Sequence, residues 1–402
     1  MARKKYGKMI ACILAVAISS GIFTDGSAGM ALAAGNGQET GTSSASFSIE
    51  RLTSGYTNIS AGYTAADYLG EEKIFHIEDA IASEDSGLLT DESYGYDGRV
   101  ADVQHGTTLS LTIDAPETGL YWMNFDYLSY DESILPIEFA LKIDGEYPFY
   151  EARNLTFETH WVQDEAISTD RYGNEIVSMP SKLIWWETKA VSDSSYRYAT
   201  PLKVQLEKGT HELEISVSEG SFLLGNVSLQ APEKVAEYTA AAKAEGSELI
   251  TIQGENFYLR NNSSIHATGE YDSALYPLSA TETVLNTVDG DSFGTAGQTI
   301  TWQFEVGTEG YYYLAMNYRQ SDKNDFPVFV DWRIDGEIPN TAFESYPVEY
   351  TAKYATKSLT DADGEKLSVW LEKGTHTISA TISAENLCYI LEKVDEIMNG
   401  VN

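Results

Sequence analysis

The chain has 402 residues, of which 43% are hydrophobic and 12% aromatic, with 61 acidic against 26 basic side chains and a formal net charge of −35. That apolar content is ample for packed cores and excludes wholesale disorder. The excess negative charge disfavours nucleic acid and anionic membranes as partners.

Residues 2–8 are basic, 9–23 form an apolar run, and Ala31-Leu32-Ala33-Ala34 offers small residues at cleavage spacing. This is the layout of a secretory signal peptide over residues 1–34. The run is too short to prefer a membrane span, so an exported chain without membrane insertion is expected. Cys12 leaves with the leader and Cys388 is then alone, which leaves no intrachain disulfide in the mature protein. Residues 35–60 read as a flexible Gly/Ser/Thr linker.

Two units are expected next, at 61–231 and 247–392, because the chain writes one module twice. Gly119-Leu120-Tyr121 and Ile143-Asp144-Gly145-Glu146 return as Gly310-Tyr311-Tyr312 and Ile334-Asp335-Gly336-Glu337, at an offset of 191 residues. Leu206-Glu207-Lys208-Gly209-Thr210-His211 returns as Leu371-Glu372-Lys373-Gly374-Thr375-His376, but at an offset of 165. The first copy therefore carries an extra stretch between these two motifs. Within each copy the hydrophobic period is two: Tyr121, Met123, Phe125 and Tyr127 alternate, as do Tyr312, Leu314, Met316 and Tyr318. Such alternation between Gly, Asp and Pro punctuation marks half-buried strands, and Asp144-Gly145 and Asp335-Gly336 suit turns. Each unit reads as an antiparallel β-sandwich of jelly-roll type, so the fold class is all-β with two tandem sandwiches. A spacer at 232–246 reads as a short helix, and 393–402 as a tail. Glu392-Lys393-Val394 echoes Glu233-Lys234-Val235 ahead of the second unit, which leads us to expect a further domain about where the chain stops.

The extra stretch is the expected seat of function. Alignment of the copies makes Trp302 and Trp332 core residues and turns Trp122 and Trp370 outward. Trp161, Trp185 and Trp186 lie in or beside the extra stretch with His160, Arg171, Tyr172, Asn174 and Glu175. Aromatic rings stack on the apolar face of a sugar while planar polar groups pair with its hydroxyls. Trp161, Trp185 and Trp186 are the expected stacking residues, and Arg171, Tyr172, Asn174 and Glu175 the expected polar contacts. The alternative is a long loop that uses the same aromatics as its own anchors.

Glu78 and Asp79 occupy a place equivalent to Glu255, and such oxygens can contribute to a structural Ca²⁺, which takes six to eight oxygen ligands. Further oxygens are thin: the last strand of copy one offers Asn226, and copy two has Leu387-Cys388-Tyr389-Ile390 at that position. Solvated acidic side chains are the competing reading, and no other cofactor is implied. His211 and His376 belong to the shared motif and read as structural. HExxH, GxSxG, CxxC and nucleotide-binding glycine loops are all absent, so an enzyme is not expected.

From Ile143-Asp144-Gly145-Glu146 with Pro148-Phe149-Tyr150-Glu151-Ala152, through Tyr172-Gly173-Asn174-Glu175-Ile176 and Trp186, to the motif ending in His211, the chain resembles a known group. These are the β-sandwich modules in the N-terminal part of large extracellular solute-binding proteins of Gram-positive sugar ABC transporters. They are in turn similar to galactose-binding-like carbohydrate-binding modules of the family 6 and 35 type. The resemblance covers about residues 61–392 and implies contact with a glycan or oligosaccharide, ABC transporter components as partners, and no catalysis. It also implies a secreted or cell-surface location on a Gram-positive bacterium. Two departures weigh against a full carry-over: the large two-lobed solute-binding domain is missing, and the first-strand Glu-Ala-Glu of the modules becomes His76-Ile77-Glu78 and Gln253-Gly254-Glu255. The expectation is thus a secreted, non-catalytic carbohydrate-binding protein whose first module binds the sugar. Its competitors are a structural or adhesive surface protein that binds another protein, and a jelly-roll glycoside hydrolase or lyase.

Overall fold

The computed structural model describes residues 54–163, 167–239, 246–321 and 326–400, so the expected leader 1–34 and most of the linker lie outside the described residues. Among the described residues two large hydrophobic cores each sit between layers of antiparallel strands. In the first unit, Gly119–Ser129 turns Tyr121, Met123, Phe125 and Tyr127 inward, and Ile137–Ile143 turns in Ile137, Phe139 and Leu141. One layer orders Glu187–Ala190, Gly119–Ser129, Phe222–Gln230, Val100–Val103 and Leu89–Thr90; Lys73–Phe75 adds to Phe222–Gln230 and Val204–Leu206 to Gly119–Ser129. The facing layer orders Thr108–Ala115, Gly209–Glu219, Ile137–Ile143 and Leu155–Phe157. Phe157 stacks on Tyr127 with ring centroids 4.2 Å apart and joins the two layers.

The second unit repeats one of these layers: Thr299–Val306, Gly374–Ser383, Val328–Ile334 and Tyr346–Val348 lie side by side. Its facing layer is in pieces, with Gly310–Tyr313 on Ser368–Leu371 and Ala315–Tyr318 on Ala355–Ser358.

The motif common to both copies is a lock between a turn and a strand. His211 Nδ1 lies 2.6 Å from Asp144 Oδ2, its Nε2 lies 2.8 Å from the Glu207 carbonyl, and the Glu212 amide donates to Asp144 Oδ1 at 2.9 Å. His376, Asp335, Glu372 and Thr377 repeat the arrangement at 2.6, 2.9 and 2.8 Å. Asp144 and Asp335 both have positive φ (54° and 51°), a conformation that short polar side chains tolerate, with Gly145 and Gly336 beside them also positive. The repeat thus preserves a fold-holding contact.

Three boundaries differ from expectation. Residues 56–60, assigned to the linker, form the helix Tyr56–Ser60, whose Tyr56 ring packs on Phe149 at 5.2 Å and whose first amide donates to Glu151 at 2.8 Å. The described part of the spacer, 232–239, is irregular rather than helical, since it runs as a connector with Thr341 and Gln230 as its partners. Residues 387–390 lie in the helix Glu385–Gly400, which continues through the expected tail.

The extra stretch of the first unit is built into the second. His160–Val162 pairs with Ser181–Leu183 on one edge and with Leu259–Arg260 on the other. The two units therefore share one seven-stranded sheet.

Candidate functional site

That shared sheet decides what the expected binding residues can do. Trp161 is 6% exposed, sits opposite Arg260 in the seam, and its indole N–H donates to Thr159 at 3.3 Å. Its face is covered by protein, so it offers no stacking surface. Asn174 Oδ1 accepts from the Thr283 amide at 2.8 Å, and Glu175 Oε2 accepts from the Leu285 amide at 2.6 Å, so both tie the stretch to the second unit. Tyr172 is exposed, with the Arg171 guanidinium 4.6 Å above its ring. Trp185 is 40% exposed and packs edge-on against His160 at 5.5 Å. The seven residues do not form one face.

Trp186 belongs to a different cluster, on the outer surface of the first unit's larger layer. Val100, Leu128 and Leu223 make an apolar floor, and Tyr96, Tyr130 and Trp186 pack on it. Trp186 lies over Tyr96 with centroids 4.3 Å apart, and its indole donates to the Ser93 carbonyl at 2.8 Å. Tyr94, 53% exposed, stacks parallel to Tyr130 at 6.5 Å. The 93–96 turn places these rings: Tyr94 (φ 49°) and Gly95 (φ 85°) both take positive φ, and the Tyr96 amide closes onto Ser93 at 3.0 Å. This is the type I′ pattern, and a tyrosine held there is a strained choice of the kind found at functional sites.

Tyr96 is fixed from two sides. Its hydroxyl donates to Asp126 Oδ2 at 2.5 Å and accepts the Asn226 amide at 2.9 Å, while Thr188 donates to Asp126 Oδ1 at 2.5 Å. Burial, reinforced by the hydrogen bond to Asp126, pushes the Tyr96 phenol well above its ordinary value, so it remains a donor. Phe222–Gln230 is bulged between Leu224 and Val227, which lets Asn226 turn toward His76, 3.2 Å away, and brings the Gly225 backbone against the Tyr96 ring. A Cβ at Gly225 would stand 2.6 Å from that ring. Bulges recur beside binding sites because they re-aim a side chain. Further along the same face, Asn124 donates to Gln230 at 2.9 Å and Ser228 to Glu72 at 2.5 Å, with Trp122 beyond them. Amides, carboxylates and hydroxyls thus run between two tryptophans.

Sequence reasoning reached Trp186 but missed Tyr96, Asp126, Thr188 and Asn226 as its partners. The legible signal was Gly225-Asn226 inside an otherwise apolar strand, since a glycine there marks a bulge or a close backbone approach.

Behind Trp185 lies a charge cluster that clasps the seam. Lys189 donates to Glu158 at 2.9 Å, His160 lies 2.8 Å from Glu187, and the Tyr196 hydroxyl donates to Glu158 at 3.0 Å. Burial alone would raise the Glu158 carboxyl, but Lys189 and His160 overcome it and hold it at about 2. Burial works against a charged His160 too, yet Glu187 and Glu158 raise it above its ordinary value.

Of the expected metal ligands, Glu78 and Asp79 stand exposed on the helix Ile77–Ala80, whereas Glu255 is 9% exposed. Among the described residues no group of three or more His, Cys, Asp or Glu side chains is gathered to hold a metal. Glu255 instead borders a cavity of about 320 Å³ at the seam, whose walls include Gln163, Ser178 and Arg260. Ser178 Oγ, Glu255 Oε2 and Arg260 Nε are all buried there without a hydrogen-bond partner. Burial lowers Arg260 to about 10 and, with Glu175 nearby, raises Glu255. These polar groups and that volume suit bound water.

No protein-family model matches the chain, and no curated protein does. Among solved structures it is similar to a family 35 carbohydrate-binding module from Clostridium thermocellum, with 15% identity over 40% of this chain and 99% of that one, and a TM-score of 0.26. It is similar to a family 35 module from Cellvibrio japonicus, with 17% identity over 40% and 95% of the two chains, and a TM-score of 0.25. It is also similar to a Podospora anserina β-(1,4)-mannanase that carries such a module, with 14% identity, 41% of this chain, 28% of that one, and a TM-score of 0.24.

Proposed function

We propose that this is a non-catalytic carbohydrate-binding protein that takes an oligosaccharide on the outer face of the first unit's larger layer. The observation that carries the reading is the Tyr96–Trp186 pair, held at the Gly225–Asn226 bulge with Asp126 and Thr188 beside it. Rings on an apolar floor accept the C–H face of a sugar, and the flanking amide, carboxylate and hydroxyl groups exchange water for sugar hydroxyls. Export by the leader, display on a Gram-positive cell, and service to a sugar ABC transporter complete the proposal.

The test is intrinsic tryptophan fluorescence of the chain titrated with a panel of plant and host glycans. Saturable binding of one sugar class should be lost in Trp186→Ala and in Asn226→Ala and kept in Trp185→Ala. A flat response from folded protein across the panel would overturn the reading and favour the protein-binding alternative.

A further inference from the structure

The seam between the units encloses a cavity that both of them build. It differs in this from the clefts inside the second unit, one of which has about 570 Å³ and Trp302 and Trp332 among its walls. The seam cavity has about 320 Å³. Gln163, Ile167, Val177 and Ser178 come to it from the extra stretch of the first unit, and Glu255, Phe257, Arg260 and Leu285 from the second. Ile167 and Val177 are 42% and 38% exposed, so the cavity opens toward solvent beside them. Its size falls at the lower end of the range for small-ligand sites.

Water in this cavity would leave the charge of Arg260 unmet. Leu259–Arg260 runs inside the shared sheet, flanked by His160–Val162 on one edge and Thr299–Val306 on the other, and Arg260 is 2% exposed. Its guanidinium lies 5.1 Å from the Phe257 ring. Nη1 donates to the Ile265 carbonyl at 2.6 Å and Nη2 to Gln163 Oε1 at 3.4 Å, while Nε is buried with no partner. Every partner of this cation among the described residues is thus neutral. A buried charge in that state is costly, because it has left water and nothing of opposite sign offsets the loss. A water molecule can accept from Nε, but it brings no negative charge.

The other walls define which anion fits. Ser178 Oγ and Glu255 Oε2 are also buried without partners. Burial, with Glu175 nearby, raises the Glu255 carboxyl, which favours the protonated form that can donate. An acidic wall of this kind tolerates one negative charge beside Arg260 and disfavours two. Ile167, Val177, Phe257 and Leu285 supply apolar surface. A carboxylate meets these demands together. One oxygen accepts from the Arg260 Nε–H, the other suits an O–H of Ser178 or Glu255, and a hydrocarbon tail suits the apolar walls.

We propose that the seam cavity binds a small monocarboxylate with a short aliphatic chain, its carboxylate on Arg260, and that the bound acid bridges the two units. Because the walls come from both units, such a ligand binds the joined arrangement and stabilises it by mass action. The site is distinct from the Tyr96–Trp186 face and does not rest on the glycan reading.

Isothermal titration of the full chain tests this, with the sodium salts of acetate, butyrate, succinate, phosphate and chloride as probes. Acetate and butyrate should each saturate a single site, butyrate about fifteenfold tighter, from about fourfold per buried methylene. Succinate, phosphate and chloride should not saturate it. Arg260→Met should weaken butyrate by about tenfold or more, while Glu255→Gln, which keeps a donor, and Trp186→Ala should retain it. No saturation by either monocarboxylate in the unmodified chain overturns the proposal and leaves the cavity to water. Chloride binding as tightly as acetate overturns it in favour of a simple halide site. Residues 164–166 lie outside the described residues and include Asp164 and Glu165. Binding that appears only after Asp164→Asn with Glu165→Gln overturns it in favour of a carboxylate of the chain itself. A second variant guards against misfolding of Arg260→Met: Ala267→Leu narrows the cavity and leaves Arg260 in place. It should weaken butyrate more than acetate, and an equal effect on both overturns the proposal. Hydrogen exchange at 160–162 and 259–260 should slow when butyrate binds, and unchanged exchange there overturns the bridging role.

Discussion

Gly225 lacks a side chain because Tyr96 occupies the place where one would go. A methyl group there would stand 2.6 Å from the ring, and crowding of this kind costs about 1–3 kcal/mol. Gly225→Ala should therefore lower thermal stability by that order and displace Tyr96 from Trp186, with loss of glycan response; unchanged stability would show that the ring sits elsewhere. A second residue-scale prediction concerns pH. Glu158 is held at about 2, below its unfolded value, so its stabilisation is present above about 4.5 and lost as pH falls toward 2. His160 is raised, so its contribution is full below about 6.5 and is lost as pH rises through the higher folded value. Melting temperature followed from pH 3 to 9 should fall at both ends, and His160→Gln should flatten the alkaline limb and, because His160 helps to hold Glu158 low, weaken the acid limb as well.

At the scale of elements, the seam strand His160–Val162 and the helix Glu385–Gly400 carry the main departures from what periodicity reveals. Alternation located the principal strands, such as Gly119–Ser129 and Ile137–Ile143, because each buries one face. It could not show that Trp161 pairs with Arg260, because that partner lies in the other unit and strand pairing leaves no mark in local spacing. The helix did leave a mark, since Leu387, Ile390, Leu391 and Val394 fall at the i, i+3, i+4, i+7 spacing of a helix, but the match of 387–390 to the first unit's last strand pointed the other way. Trp161→Ala should cost about 3–5 kcal/mol, as for other buried aromatics, and should split calorimetric unfolding into two transitions; a single unsplit transition would mean the seam does not couple the units. At the helix start, burial together with Glu344 and Asp331 raises Glu385 to about 7, while Arg333 is the cation facing Asp331 and Glu344. A raised carboxyl stabilises the docked helix below about 4.5 and loses that effect as pH rises through about 7. Helicity should fall over that interval, and Glu385→Gln should remove the change.

As a whole molecule, the chain uses one module in two ways. The first unit is closed, carries the aromatic face, and sends two strands across the seam. The second receives those strands and keeps an open interior. What both copies share, the His211–Asp144 and His376–Asp335 locks, holds the fold. What the first copy alone owns splits between the seam, where Trp161, Asn174 and Glu175 are committed, and the outer face, where Trp186 joins Tyr96. That division sets the proposed binding face on two units joined by one shared sheet.

The measurement that tests this most directly is an NMR titration of the indole N–H signals, assigned by single Trp→Phe replacements, against the glycan class that binds. There are seven tryptophans to follow. The account predicts that the Trp186 signal shifts saturably, that Trp122 responds to longer oligosaccharides, and that Trp161 and Trp332 stay in place. Shifts confined to Trp302 and Trp332 would move the site into the second unit's cleft and contradict the account.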